Sequence, residues 1–317
     1  MKGSVGPVLT VVLVIIGIWY LAAIPMNIKE TLTEAERAGA VINGGTAAER
    51  RDEGNLGLTF ANLDLASAGW ALERPRLPAP HQVAVELYQS TIDEELFSRR
   101  GIVQSGEFSN RSLVFHGGVT LAATLLGFLI GTVSGVLLAV GIVHSRTMDM
   151  SVMPWAIVSQ AIPIIAIAPM IIVVLYSVGV QGILPKAIIS AYLSFFPVVV
   201  GMVKGLRSPD AIQRDLLRTY SATDAQTFWK LRLPASVPYL FASLKIGISA
   251  SLVGAIVGEL PTGAVAGLGA RMLAGSYYGQ TVQIWSALFA AALLAAALVW
   301  VIGAIERRTL RAMGVPG

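Results

Sequence analysis

The chain reads as an all-α integral membrane protein with about six transmembrane helices and a polar insertion after the first. Three observations carry that class. Over 317 residues, 55% hydrophobic side chains against 13% charged ones give a mean hydropathy of +0.69, too apolar for a water-soluble domain. Six apolar runs approach or reach the roughly 20 residues that a helix needs to cross a bilayer. Lys and Arg gather in alternate connections between those runs, the pattern of cytoplasmic loops. That asymmetry accounts for the formal net charge of +4, so the lipid bilayer and not nucleic acid is the expected surrounding. With no cysteine, disulfides, Cys-ligated zinc, iron–sulfur clusters and thiol nucleophiles are excluded together.

The first run, Val8 to Ile24, follows Lys2 and stops at Pro25. It is long for a signal peptide and lacks a small-x-small cleavage site, so residues 1–25 are read as an uncleaved first span. Trp19 and Tyr20 belong near its outer end, where amphipathic rings favour the interface. Residues 26–112 then turn acidic and polar, and are expected on the extracytoplasmic side. Asn43-Gly44-Gly45 marks a turn between a helix at 29–41 and another from Thr46. Pro75, Pro78 and Pro80 predict extended chain, and the spacing of Val83, Leu87 and Leu96 predicts a helix from His81 to Leu96.

The second run, Leu113 to Val143, carries Gly127, Gly131 and Gly135 four apart, on one helix face. In lipid such a face marks close helix packing. His116 has no second His at metal spacing and is read as a helix-end residue near the interface. The third run, Met153 to Tyr176, contains Pro154, Pro163 and Pro169, which predicts a broken helix beside the translocation pathway. Gln160 within it is read either as a substrate contact or as polar glue between helices. Lys186 to Val203, with the pair Phe195-Phe196 before Pro197, is the fourth span. Pro238 to Val257 is the fifth and Val282 to Ile305 the sixth. Between those two lies a Gly-rich stretch from Glu259 to Arg271, where Glu259 is read either as an interfacial carboxylate or as a gate residue paired with Arg271. Gln160, Pro163, Pro169, Phe195, Phe196, Glu259 and Arg271 are therefore the candidate pathway and gate residues.

Between the fourth and fifth runs, residues 206–236 form a polar, basic interruption. Leu216, Leu217, Tyr220, Phe228 and Leu231 recur at three-to-four-residue spacing, which predicts one or two short amphipathic helices, with Thr223 and Asp224 capping the second. The segment resembles the Glu-Ala-Ala signature loop of binding-protein-dependent ABC transporter permeases. Asp215 stands for the Glu, Leu216 and Leu217 for the two Ala, Ser221 for the Gly, and Leu233-Pro234 for the closing pair. The flanking Gln-Thr-Phe-Trp-Lys and Ala-Ser-Val-Pro-Tyr-Leu-Phe resemble the branch importing nitrate, sulfonates, taurine and some vitamin or pyrimidine precursors. Similarity runs from about Leu113 to Arg308, with Leu77-Pro-Ala-Pro80 as a further short element, and residues 26–76 are an insertion by comparison.

The resemblance implies the type I importer permease fold, a core at 113–308 and a cytoplasmic tail at 309–317. It also implies that Asp215, Leu216, Leu217, Tyr220, Ser221, Ala222, Phe228 and Pro234 couple to a cytoplasmic ATPase. The implied partners are a second permease subunit forming a homodimer, two ABC ATPase subunits and an extracytoplasmic solute-binding protein. No cofactor is expected in this chain, because nothing in it matches a Gly-x4-Gly-Lys-Ser/Thr loop; Mg-ATP belongs to the ATPase. An intramembrane enzyme is disfavoured for want of His-Glu-x-x-His or a His–carboxylate cluster within a span. The alternative is a self-sufficient secondary transporter or channel, since broken helices suit those too. Both termini are expected in the cytoplasm, because Arg146, the basic 204–232 segment and Arg307, Arg308 and Arg311 then share that side.

Overall fold

The computed structural model describes residues 5–261 and 264–314, so Lys2, part of the Gly-rich stretch and the last three residues of the tail lie outside the described residues. The described chain is helical, with no strand among the described residues. Five helices are long and apolar enough to cross a membrane: α1 (Val5–Arg37), α4 (Leu113–His144), α7 (Ile183–Leu206), α9 (Asp224–Glu259) and α11 (Thr281–Ala312). The shorter helices are α2 (Asn55–Ala61), α3 (Pro80–Tyr88), α5 (Arg146–Ser159), α6 (Ile164–Ser177), α8 (Ala211–Thr219) and α10 (Leu268–Tyr277). The chain divides into two compact units, Met1–Val114 with Arg271–Ala290 and Phe115–Ala270 with Ala291–Gly317.

In the first unit α1 does not stop at Pro25. It continues to Arg37, so the separate helix expected at 29–41 is its second half. Pro25 removes one backbone donor and the helix absorbs the loss, as membrane helices do. The reason for continuing is packing. Asn27, fully buried, donates to the carbonyls of Gly69 (3.1 Å) and Leu77 (2.8 Å) and accepts from the Leu77 amide (3.0 Å). Ile28 and Leu32 bury against Leu58 of α2. The insertion is thus folded onto the extension of the first span. The helix expected from Thr46 reduces to one 3-10 turn at Glu49–Arg51, after a turn in which Gly44 and Gly45 both take positive φ. The Leu77-Pro-Ala-Pro80 element is held through its backbone: Trp19 Nε1 donates to the Pro78 carbonyl (2.9 Å), and Pro80 opens α3, which runs on through a π turn to Leu96. Trp19 also stacks on Phe289, with ring centroids 5.7 Å apart.

The second unit is built on small residues. A Cβ on Gly127, Gly131 or Gly135 of α4 would collide with Ser190, Ser194 and Val198 of α7 in turn. The glycine stripe is a packing face, as its spacing predicts. On the other side of α7, Gly201 and Gly205 meet Ser243 and Ser236 of α9, while Gly254 and Gly258 of α9 meet Ser190 and Lys186. Buried hydroxyls pin the three helices together: Ser190 Oγ donates to the Ser251 carbonyl (2.8 Å), and Ser251 Oγ to that of Thr124 (2.9 Å). Toward the other end, Ala139, Ile142, Val198, Val199, Met202, Val203 and Leu206 close an apolar core.

The register of these contacts fixes the topology. Positions on α4 and α7 advance together, so those helices run parallel, whereas positions on α7 and α9 run in opposite directions. Two parallel spans need one net crossing between them. The crossing is α5 with α6, bent by 101° at Gln160–Pro163, where the prolines predicted a break. With the bent pair counted as one span, the described residues hold up to six candidate crossings. The fifth span is longer than its expected 238–257: it starts at Asp224 and passes through a π turn at Phe228–Arg232 just before Pro234. Pro234 therefore lies inside the helix, next to the turn that accommodates its missing donor, and does not close a loop.

Candidate functional site

Two groups of residues in the second unit stand out chemically, one around α8 and one around Glu259. Helix α8 starts at Asp210, whose amide donates to Gln213 Oε1 (3.1 Å). It ends in a Schellman turn: the Ser221 amide reaches the Arg218 carbonyl (2.8 Å) and the Ala222 amide that of Leu217 (3.0 Å). Such a turn needs a left-handed residue, and Ser221 supplies it with φ +53°. Glycine at the corresponding signature position has the same physical cause, since it takes this conformation without a steric penalty. Thr223 then caps α9, accepting from the Gln226 amide (3.2 Å) while Gln226 Oε1 accepts from the Thr223 amide (2.9 Å). Of the two residues expected to cap this helix, Thr223 does so and Asp224 lies in the first turn.

The exposed face of this helix–turn–helix is apolar. Ile212, Leu216 and Tyr220, four residues apart on α8, are 83%, 56% and 78% exposed, and Trp229 on α9 is 66% exposed. Leu217 and Ala222 are half-buried. Phe228 turns inward, packs on the Ala139–Leu206 cluster and sits edge-on to the His144 ring at 5.2 Å. The sequence spacing grouped Phe228 with Leu216 and Tyr220 and did not single out Ile212 or Trp229. Ile212 was legible as the position one helical turn before Leu216; Trp229 was not, because the π turn at 228 rotates the face it presents. Asp215 is exposed and lies 3.5 Å from Arg218, an ion pair of little energetic weight. Arg207, Arg214 and Arg232 line a cavity of about 330 Å³ nearby.

The second group surrounds a fully buried carboxylate. Thr120 Oγ1 donates to Glu259 Oε1 (2.8 Å), and the Gly269 amide donates to Oε2 (2.7 Å). Thr120 Oγ1 in turn accepts from the Leu268 amide (2.9 Å), and His116 Nδ1 from the Gly267 amide (3.0 Å). The Lys186 ammonium acts on Glu259 electrostatically and lies 3.5 Å from the Ala266 carbonyl. Side chains of α4, α7 and α9 thereby hold the 264–270 loop by its backbone. Gly267 is required at its position: φ is +131° and a Cβ would strike the Glu259 carboxylate. His116 lies in the first turn of α4, at a helix end as expected, and is buried there. Arg271 falls in the other unit, where its charge acts on Glu86. Glu259 is engaged by Thr120, Gly269 and Lys186. A mostly apolar cavity of about 480 Å³ adjoins the loop, lined by Val119, Ala122, Tyr176, Ile183, Lys186 and Val265.

The remaining pathway candidates separate. Gln160 and Pro163 stand at the α5–α6 bend, with the Gln160 Nε2 donor buried and unpartnered among the described residues. The Tyr192 hydroxyl donates to the Ser159 carbonyl beside it, giving the broken helix a partner. Pro169 is exposed within α6, Phe195 packs on the apolar core and Phe196 is half-buried. No cluster of three or more metal-binding side chains occurs among the described residues.

Fold and site together define a polytopic helical membrane protein with a broken span and a capped, apolar surface helix between two others. The family model for the inner membrane component of binding-protein-dependent transport systems matches residues 123–313. The chain is 31% identical over 194 residues to a probable ABC transporter permease protein of Haemophilus influenzae, covering 61% of this chain and 77% of that protein. It is 34% identical over 161 residues to the formylaminopyrimidine transport permease protein of Halalkalibacterium halodurans, covering 50% and 62%. It is 31% identical over 199 residues to the riboflavin transport system permease protein of Chloroflexus aurantiacus, covering 62% and 71%. The chain belongs to the binding-protein-dependent ABC permeases, in the branch that also holds nitrate and aliphatic sulfonate permeases. It is a multi-pass inner-membrane importer subunit that works with an ATPase and a solute-binding protein.

Proposed function

We propose that this chain is the translocation subunit of an importer in which α8 and the first turns of α9 seat in a groove of the ATPase. The observation that carries this is the stripe Ile212, Leu216 and Tyr220, apolar and exposed on a helix fixed at both ends by capping. An exposed apolar stripe on a rigid surface helix fits a helix-in-groove partner. Arg207, Arg214 and Arg232 add a positive field beside it. The ATPase binds and hydrolyses Mg-ATP, and this chain supplies no catalytic group to that reaction.

Two copies pair about a twofold axis, because six helices enclose half a pathway. Both termini and the α8 segment face the cytoplasm, supported by the Lys and Arg placement and by parallel α4 and α7 ending on one side. Residues 26–112 then lie outside, where the binding protein arrives. The solute is a small heterocycle of the vitamin-precursor class, the reading favoured by the formylaminopyrimidine and riboflavin relatives and by a largely apolar cavity holding one ammonium. Nitrate, taurine and other sulfonates are the second choice within the branch. The Glu259 clasp sets the conformation of the loop at the pathway mouth, and Gln160 at the bend offers a free donor to the solute.

The test is co-purification with the ATPase. Leu216→Asp/Tyr220→Asp should reduce ATPase recovery at least about tenfold while the subunit still inserts, the scale of losing one buried apolar anchor. Unchanged recovery and uptake would remove α8 as the docking element.

A further inference from the structure

The insertion unique to the first unit contains a cavity of about 450 Å³ lined by Lys29, Arg37, Arg50, Arg51 and Arg76, with Glu30 and Glu34. It lies outside the segment matched by the family model and plays no part in the site above. Part of its charge is already compensated. Arg76 pairs with Glu30 at 2.6 Å, Arg50 pairs with Glu36 at 2.5 Å, and Lys29 Nζ donates to the Arg51 carbonyl at 2.8 Å. Arg37 and Arg51 have no ion pair among the described residues, so a positive excess remains.

Arg50 is the informative residue. A guanidinium is almost never buried without full use of its donors. Arg50 is 1% exposed, and its Nη1 donates to the Gly45 carbonyl (2.6 Å) while Nη2 serves Glu36. Its Nε is buried with no partner among the described residues, and so is Glu30 Oε2 on the same cavity. An unused charged donor and an unused acceptor on residues that line one cavity fit a ligand that presents both an anionic oxygen and a hydroxyl. Nitrate and sulfonate lack the hydroxyl. Monohydrogen phosphate has both, and so does a phosphoglycerol headgroup.

We propose that this cavity is a phosphate-type oxyanion site, with Arg50 as its buried anchor and Arg37 and Arg51 as its open-side cations. Lys29 and Arg37 lie roughly 8 and 20 Å beyond Ile24 along α1, at 1.5 Å per residue. A headgroup layer of about 5–7 Å beyond the hydrocarbon reaches the level of Lys29 and not that of Arg37, so a dissolved phosphate is the favoured source and a lipid headgroup is tested as the other.

The full-length chain, purified in neutral detergent and stripped of lipid, is titrated with inorganic phosphate by calorimetry, with nitrate at matched ionic strength as control. In parallel it is reconstituted in phosphatidylcholine nanodiscs with or without phosphatidylglycerol, and retained lipid is measured by native mass spectrometry. Both arms are run on wild type and on Arg37→Gln/Arg51→Gln, whose exposed positions leave the Arg50–Glu36 pair intact. Saturable phosphate binding weakened at least about tenfold in the variant, the loss of a charge-assisted contact, assigns a free oxyanion. Selective phosphatidylglycerol retention lost in the variant assigns a headgroup. Equal binding by wild type and variant, no binding in either arm, or nitrate binding as well as phosphate would overturn the proposal.

Discussion

Ser221 shows how a signature residue follows from backbone geometry. A left-handed conformation costs a non-glycine residue about 1–2 kcal/mol, and here the Schellman turn at the end of α8 imposes it. Ser221→Gly should stabilise the purified subunit by up to about 1 kcal/mol in thermal denaturation and keep ATPase recovery, while Ser221→Val should lower both. Glu259 sits at the opposite extreme, a buried carboxylate held by the Thr120 hydroxyl and the Gly269 amide. Glu259→Ala leaves the Thr120 hydroxyl and Gly269 amide without an acceptor and should cost about 1–3 kcal/mol per buried group by thermal denaturation. Glu259→Gln keeps an acceptor and the size; it should preserve the assembled complex and impair uptake, and wild-type uptake would reduce the clasp to a structural role. Glu86, outside the spans, is held above the ordinary glutamate value of 4.5 by burial, with the Arg271 charge opposing. Its protonated form is therefore favoured on folding, so its contribution is present at acid pH and lost as pH rises through the raised value. Glu86→Gln should accordingly gain stability relative to wild type between about pH 5 and 7 and not at pH 4, read from melts across that range.

At the scale of elements, the spans were legible because lipid demands an uninterrupted apolar run, and the glycine stripe because close packing demands small residues at fixed spacing. The break at Gln160–Pro163 was legible for the same kind of reason, since proline cannot donate. What could not be read is where tertiary contacts override local signals. Asn27 and Ile28 carry α1 past Pro25, and a π turn carries α9 past Pro234. The Glu259 clasp brings in Thr120 and Lys186 from widely separated segments, which no local pattern joins. Gly131→Val places branched carbons against Ser194 and the Ala191 carbonyl, and should destabilise the subunit by about 1–3 kcal/mol. Gly118→Val, with open space at its Cβ position, should cost far less in the same thermal assay.

At the scale of the whole molecule, orientation and partnership decide the function. The proposed topology puts exposed Ser67 outside, so Ser67→Cys in this cysteine-free chain should react with an impermeant thiol reagent in intact spheroplasts. Labelling only after lysis would invert the topology and with it the role of α8. The central claim is that solute crosses only when ATP hydrolysis is coupled through α8 to this subunit. Its most direct test is uptake into proteoliposomes holding the purified subunit and its ATPase, with the solute-loaded binding protein outside and Mg-ATP enclosed. The account predicts uptake that requires all three components and is lost with Leu216→Asp/Tyr220→Asp. Uptake by this chain alone, driven by an imposed ion gradient without ATPase or ATP, would contradict it.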